Sequence, residues 1–383
     1  MAAVGERFLI RDDTMFHPFE IAVGGLSGSG KTTLVEKLIR RFSENGFEVA
    51  AFKHGCHRFE IDREGKDSDR FTKARAVPVL IADREKEALI SRGTDRLDIA
   101  GSTLSADLLF IEGLKELPIP KLLMVDRDRA VLPMLENGAI PQVLALVHDG
   151  NADGLERFGL PLFHRNELTE IGTFVEGLLR KSAEAVPLHG LVLAGGQSSR
   201  MGRDKATLSY HGQNQLERTA ALLGGVCDEV FISCQAEQIE CFTTSANIPA
   251  IADSYLDIGP LGGLLSAQRQ RPHAAWLVAA CDFPLLDEAA IAELTEARNP
   301  FRFATAFAAG DRDRPEPLLT IYEPKSRRRL LEAHAAGNDS LRSFLRSNRV
   351  ELVEPRDPSA LFNANDPDAF DKARRMMENG GLR

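Results

Sequence analysis

The segment Gly25-Leu26-Ser27-Gly28-Ser29-Gly30-Lys31-Thr32 constrains this chain more than any other, because its chemistry requires particular neighbours on both sides. It follows a short apolar run, 19–23, that reads as a buried strand. It precedes Leu34, Val35, Leu38, Ile39 and Phe42, which share one face of a helix that should stop at Asn45-Gly46. Strand, glycine-rich turn and helix are the setting in which GxxxxGKT wraps a phosphate with backbone N–H groups, the positive end of the helix aimed at the same point. Gly25, Ser27, Gly28, Ser29 and Gly30 form the cradle and Lys31 reaches the outer phosphates. Thr32 offers a hydroxyl to Mg²⁺, with Thr33 beside it at the helix start. A nucleoside triphosphate with Mg²⁺ is the expected ligand.

Further strands are predicted at 47–52, 77–82, Leu108 to Ile111, Leu122 to Val125 and Val143 to Val147, with a closing helix over 167–180. Strands alternating with helices predict a mostly parallel α/β sheet. The run Leu108 to Ile111 leads into Glu112, where a P-loop protein places the carboxylate that orients Mg²⁺ or the attacking water. Lys53-His54-Gly55-Cys56-His57 invites a zinc reading, but a structural site needs four ligands and no second pair follows. It reads as a polar loop near the phosphate site.

The segment 181–187 is short, polar and ends in proline, which marks a linker, and the pattern then restarts. Gly190 to Ala194 is a strand running into Gly195-Gly196, followed by a helix at 214–224, a strand at 229–233 and another at Trp276 to Ala280. The organisation is therefore two doubly wound three-layer α/β domains: a P-loop NTPase-like domain over 1–184 and a Rossmann-like domain over 188–383. No repeated sequence links them. Bulk numbers agree with this picture. The length of 383 residues suits two or three domains, and 43% hydrophobic with 27% charged residues is ordinary for a globular chain. A net charge of −9 excludes a nucleic-acid coat or a polybasic membrane binder, and no stretch reads as a membrane helix. Five cysteines without a CxxC suit a reducing cytoplasm.

The second half carries Leu193-Ala194-Gly195-Gly196-Gln197-Ser198-Ser199-Arg200-Met201-Gly202-Arg203-Asp204-Lys205. The paired glycines let a nucleotide approach the backbone, Ser198 can donate to a phosphate, and Arg200, Arg203 and Lys205 surround one triphosphate with positive charge. Asp253 ends one strand, before Asp257-Ile258-Gly259-Pro260-Leu261-Gly262-Gly263, and Asp282 ends another. Asp282 at the mouth of a central strand is placed to hold Mg²⁺ against the α-phosphate and the departing pyrophosphate. Asn363 and Asn365 near the end of the chain supply amide oxygens to the same shell.

Two family resemblances sharpen these expectations. Through GLSGSGKTTL, KHGCHRFEIDREGKDS and DLLFIEGLK, residues 19–180 resemble the MobB family of molybdenum-cofactor maturation. That resemblance implies GTP binding, weak GTPase activity at most, an adapter role beside a transferase, and a homodimer. Arg63-Glu64 before Gly65, and Arg75, depart from its pattern. Residues 188–383 resemble the MobA family of molybdenum cofactor guanylyltransferases, whose GGxSxRMGxDK motif is complete here. What it implies is a GTP site of Leu193, Ala194, Gly195, Gly196, Ser198, Lys205, Ser233, Asp253 and Asp282, with Arg200, Lys205, Asp282 and Asn365 catalytic. Ser233-Cys234 stands where some members have an asparagine, and Cys234 and Cys281 read as packed thiols, since no histidine pairs with them in sequence. The implied reaction transfers GMP from GTP to molybdenum-bound molybdopterin, with molybdoenzymes or their chaperones downstream. Two alternatives stand beside it: a cytidylyl or sugar-phosphate nucleotidyltransferase, against which Gly195-Gly196 speaks, and a non-catalytic GTP-dependent cofactor carrier.

Overall fold

The computed structural model describes residues 16–54, 67–74, 79–82, 87–90, 99–194, 214–239, 248–308, 314–364 and 367–380. The chain forms two compact units, Met1–Arg180 and Lys181–Arg383.

In the first unit, β1 (Glu20–Gly24), β2 (Val49–Lys53), β5 (Leu108–Glu112), β6 (Lys121–Val125), β7 (Val143–His148) and β8 (Leu162–His164) build one sheet. Its order is β2-β5-β1-β6-β7-β8, and every pairing is parallel. β1 and β6 are buried along their whole length, as strands covered on both faces must be. From β1 the chain first moves to the β2 side and later returns to β6 on the other, so the sheet switches direction at β1. The phosphate loop therefore leaves the sheet at the crevice where open α/β sheets bind ligands.

Helix Lys31–Glu44 packs Leu34, Val35, Leu38 and Phe42 inward, and the Phe42 ring meets Phe110 of β5 edge-on at 5.5 Å. It stops where Asn45-Gly46 predicts: Gly46 turns to φ 85°, and the Phe47 N–H reaches back to Phe42 O at 3.1 Å. The run expected as a third strand of this sheet lies elsewhere. β3 (Val79–Ala82) pairs antiparallel with β4 (Glu87–Ile90) in a separate two-stranded sheet, with Leu80 and Ile81 exposed. An apolar run specifies a strand, but its partner decides the sheet it joins. The segment expected as a linker is also partly regular, because helix Leu168–Glu184 runs through 181–184.

The second unit has β9 (Leu188–Leu193), β10 (Glu229–Cys234), β11 (Ala250–Ala252), β12 (Ala275–Ala280), β13 (Ala304–Ala308), β14 (Pro315–Tyr322) and β15 (Glu351–Val353). The order is β11-β10-β9-β12-β14-β13-β15. β11, β10, β9 and β12 run parallel, and β14 is antiparallel to both β12 and β13. The direction switches between β9 and β12, whose last residues Leu193 and Ala280 are register partners. Trp276 of β12 is fully buried against His189 and Phe231. Burial holds the His189 imidazole below its ordinary range, so this histidine is a neutral core residue. Among the described residues no helix is long and apolar enough to cross a membrane.

Candidate functional site

In the first unit the loop from Gly25 to Gly30 joins β1 to the helix beginning at Lys31. Gly30 is the helix N-cap at φ 93°, ψ 14°, a left-handed conformation that disfavours any side chain. Ser27 and Gly28 form the exposed tip, while Ser29 is buried with its hydroxyl unpartnered. The Lys31 Nζ folds back over the loop to donate to Leu26 O at 2.6 Å. Thr32 and Thr33 are exposed in the first helical turn. The Thr32 hydroxyl donates to Glu112 Oε1 at 2.8 Å, so the two predicted Mg²⁺-side groups meet across 80 residues of sequence. Lys53, at the end of β2, places its Nζ 3.3 Å from Glu112 Oε2. These oxygens fit Mg²⁺, which takes one or two protein ligands and completes its shell with water and substrate phosphates.

In the second unit the carboxyl ends of β9, β10, β11 and β12 converge. Ala194 donates its N–H to Ser233 O at 3.1 Å, and Asp253 donates its own to Cys234 O at 3.0 Å. The Ser233 hydroxyl, buried, donates to Asp253 Oδ1 at 2.7 Å, so the residue standing in the asparagine's place spends its hydrogen bond on the site carboxylate. Burial pushes the Asp253 carboxyl above its ordinary range and the Ser233 hydroxyl opposes the shift. Helix Pro260–Gln270 comes close enough to touch because Gly263 has no side chain. A Cβ there would overlap Ser233 Oγ. Gly263→Ala is therefore expected to push the hydroxyl off Asp253 and lower thermal stability. The cost should be on the order of 1–3 kcal/mol. Ser233→Ala in that background should recover much of the melting temperature. If the double variant melts no higher than Gly263→Ala alone, the steric account fails.

Asp282 follows β12, and its backbone carbonyl accepts the Ala364 N–H at 2.9 Å. That bond draws the segment around Asn363 to the mouth of the strand. Asn363 Oδ1 is buried there without a hydrogen-bond partner, an oxygen suited to a hard cation or a ligand N–H. Cys234 and Cys281 are buried, and burial pushes the Cys234 thiol up to about 11, which removes its nucleophilic thiolate at neutral pH. Gly195, Gly196, Ser198, Arg200, Lys205 and Asn365 lie outside the described residues, as do Cys56 and His57.

Other side chains at these sites carry no motif. Gln215 opens helix Gln215–Gly224 and donates from Nε2 to Phe283 O at 3.1 Å, beside Asp282. Glu316, at the start of β14, is equally cryptic. The β12–β14 pairing reaches Ala279 opposite Leu319, and three residues beyond either partner stand Asp282 and Glu316. Burial raises the Glu316 carboxyl above its ordinary range, opposed by the Leu318 N–H and by Arg342, with the Asp282 charge adding to the rise. Only the strand register could have revealed it. In the first unit Arg165, after β8, also escapes any motif although its guanidinium lies against Gly30.

A phosphate loop at the switch point of one sheet, and Asp282 at the switch point of the other, define a protein of two doubly wound α/β units. The family described as "Molybdopterin guanine dinucleotide synthesis protein B" (MobB) matches residues 21–149, and the MobA-like NTP transferase domain matches residues 190–353. The chain is 32% identical over 164 residues to a molybdopterin-guanine dinucleotide biosynthesis adapter protein of Haemophilus influenzae, covering 88% of it. It is 35% identical over 199 residues to a molybdenum cofactor guanylyltransferase of Xanthomonas euvesicatoria, covering 96% of it. A molybdenum cofactor biosynthesis bifunctional protein of Synechocystis is 31% identical over 184 residues, and the chain spans about half of that relative, 53%. The chain belongs to the MobB family in its first half and to the MobA-like NTP transferase family in its second, a fused MobB–MobA protein.

Proposed function

We propose that the second unit, residues 188–383, transfers GMP from GTP to the terminal phosphate of molybdenum-bound molybdopterin. The first, residues 1–184, serves it as a GTP-binding adapter. The observation that carries this reading is the mouth of β12. The Asp282 backbone holds the Asn363 segment in place, and Ser233 ties down Asp253 at the neighbouring strand ends.

A phosphate oxygen of the acceptor attacks the α-phosphorus of GTP, a new P–O bond forms, and the bond to the β-phosphate oxygen breaks as pyrophosphate departs. The nucleophile is already an anion, so no strong base is needed, and alignment with charge neutralisation should supply most of the acceleration. Leu193, Ala194, Gly195, Gly196 and Ser198 would hold the nucleotide, with Asp253 and Ser233 bounding its site. Arg200 and Lys205 would neutralise the phosphates, and Asn365 would complete the shell near the reacting centre. Asp282 and the Asn363 oxygen would hold Mg²⁺, which supplies compensation for the charge on the leaving pyrophosphate. Thr32 and Glu112 would hold a second Mg²⁺ in the first unit. The tether itself raises the effective concentration of one unit at the other. A cytoplasmic site of action and a homodimer belong to the same reading.

The test is incubation of the full chain with molybdopterin and molybdate and, separately, each labelled nucleoside triphosphate. Label should enter the dinucleotide from GTP at least about tenfold faster than from CTP, a selectivity of about 1.4 kcal/mol. Preferential use of CTP would sink the guanylyl assignment, and transfer to a sugar phosphate would sink the molybdopterin assignment. Manganese binding followed by electron paramagnetic resonance should be weakened by Asp282→Asn independently of turnover.

A further inference from the structure

The first unit carries a charged cluster on the side of the phosphate loop away from Glu112. Glu112, Thr32 and Lys53 lie toward β5 and β2. On the opposite side, the turn after β7 brings Asp149 and the turn after β8 brings Arg165. The Arg165 backbone N–H donates to His148 O at 2.8 Å, which fixes the turn, and its Nη1 donates to Asp149 Oδ2 at 2.8 Å. Asp149 also has Arg127 Nε at 3.5 Å. Held in this way, the guanidinium faces the loop. Its Nη2 is 2.7 Å from where a Cβ would stand on Gly30, the N-cap of the phosphate-binding helix.

This placement is costly unless an anion is due there. The helix N-terminus already carries a partial positive charge, and Lys31 adds a full one. A third cationic group at the same point raises the local repulsion, which the Asp149 carboxylate partly offsets. In a GKT loop the backbone around the last glycine faces the inner phosphates, with the γ-phosphate directed toward the metal side. Arg165 therefore meets the part of the nucleotide that GDP and GTP share.

We propose that Arg165 is a nucleotide-contacting residue of the P-loop unit, donating from Nη2 to the phosphate chain on the diphosphate side, and that Asp149 is the positioning residue that aims it. The inference rests on the reading of this unit as a guanine-nucleotide binder. A planar, charge-assisted donor in that position adds affinity for the diphosphate common to both ligands and leaves the discrimination between GDP and GTP to the Glu112 side.

Calorimetric titration of the full chain with GDP, and with a non-hydrolysable GTP analogue, tests it. The Lys31→Ala variant identifies which part of the binding belongs to this unit. At the Lys31-dependent site, Arg165→Ala should weaken both ligands by a similar factor, roughly ten- to a hundredfold. Arg165→Lys should fall between, and the salt dependence of binding should flatten in Arg165→Ala. Asp149→Asn should weaken both ligands less and be partly rescued at low salt, which a merely structural loss would not show. If Arg165→Ala does not fold, Arg165→Lys and Asp149→Asn carry the test. An unchanged Lys31-dependent site in these variants overturns the inference and leaves the nucleotide-binding reading intact. Loss confined to the triphosphate overturns the placement on the diphosphate side. Absence of any Lys31-dependent site in the unaltered chain overturns the nucleotide-binding reading and the inference with it.

Discussion

Replacing Asp282 by alanine is expected to lower guanylyl transfer by roughly 10²–10³-fold while GTP binding to the second unit falls by much less. The carboxylate stands just beyond β12, at the switch point between β9 and β12, where both strands direct their ends into one crevice. Charge on the α-phosphate and the departing pyrophosphate peaks in the transition state, so a group compensating that charge acts mainly on turnover. Each tenfold loss is about 1.4 kcal/mol, which puts the expected effect near 3–4 kcal/mol. Asp282 also offers its backbone carbonyl to Ala364, and that bond survives the substitution, so the Asn363 segment should stay in place. Steady-state kinetics with molybdopterin, alongside calorimetric GTP binding, separate the two effects. Equal losses in turnover and GTP affinity would make Asp282 a binding residue only, and unchanged turnover would favour a non-catalytic carrier.

Legibility from sequence followed the range of the interactions involved. The phosphate loop was readable because strand, turn and helix are contiguous: Leu34, Val35, Leu38 and Phe42 declare the buried face, and Asn45-Gly46 declares the stop. Glu112 was readable because an acid ending an apolar run is a local pattern, and the 2.8 Å bond to Thr32 joins the two motifs. Arg165 was not, since nothing near it in sequence announces that β8 is the edge strand whose following turn meets Gly30. Glu316 was hidden for a related reason. Its proximity to Asp282 depends on the antiparallel register of β12 and β14, which a single sequence does not encode in any short window. The 77–82 run forms the expected strand, over Val79–Ala82, but outside the main sheet. Its apolar residues Leu80 and Ile81 look like core but lie exposed in a two-stranded hairpin, where pairing with 87–90 outweighs hydrophobic pattern.

Stability of the second unit should depend most sharply on a pair far from any motif. Arg298 and Glu323 form a double hydrogen bond, Nε to Oε1 at 2.8 Å and Nη2 to Oε2 at 3.0 Å, with the Glu323 side chain only 1% exposed and that of Arg298 15%. Arg298 Nη1 also donates to Val186 O at 3.3 Å, so the pair ties the residue after β14 to the stretch that leads into β9. β9 in turn delivers Leu193 and Ala194 to the crevice of the proposed nucleotide site, so this ion pair helps hold that segment in register. Glu323→Ala leaves a mostly buried guanidinium without its carboxylate and is expected to cost about 3–5 kcal/mol. For a unit of this size that is a fall in melting temperature on the order of 10 °C. Replacing both partners by methionine should cost much less than either single alanine, because no charge is then left uncompensated. The first unit's transition should not move, and scanning calorimetry of the full chain would register the separation. A double methionine variant as unstable as Glu323→Ala would mean that packing volume, rather than the uncompensated charge, dominates at this position.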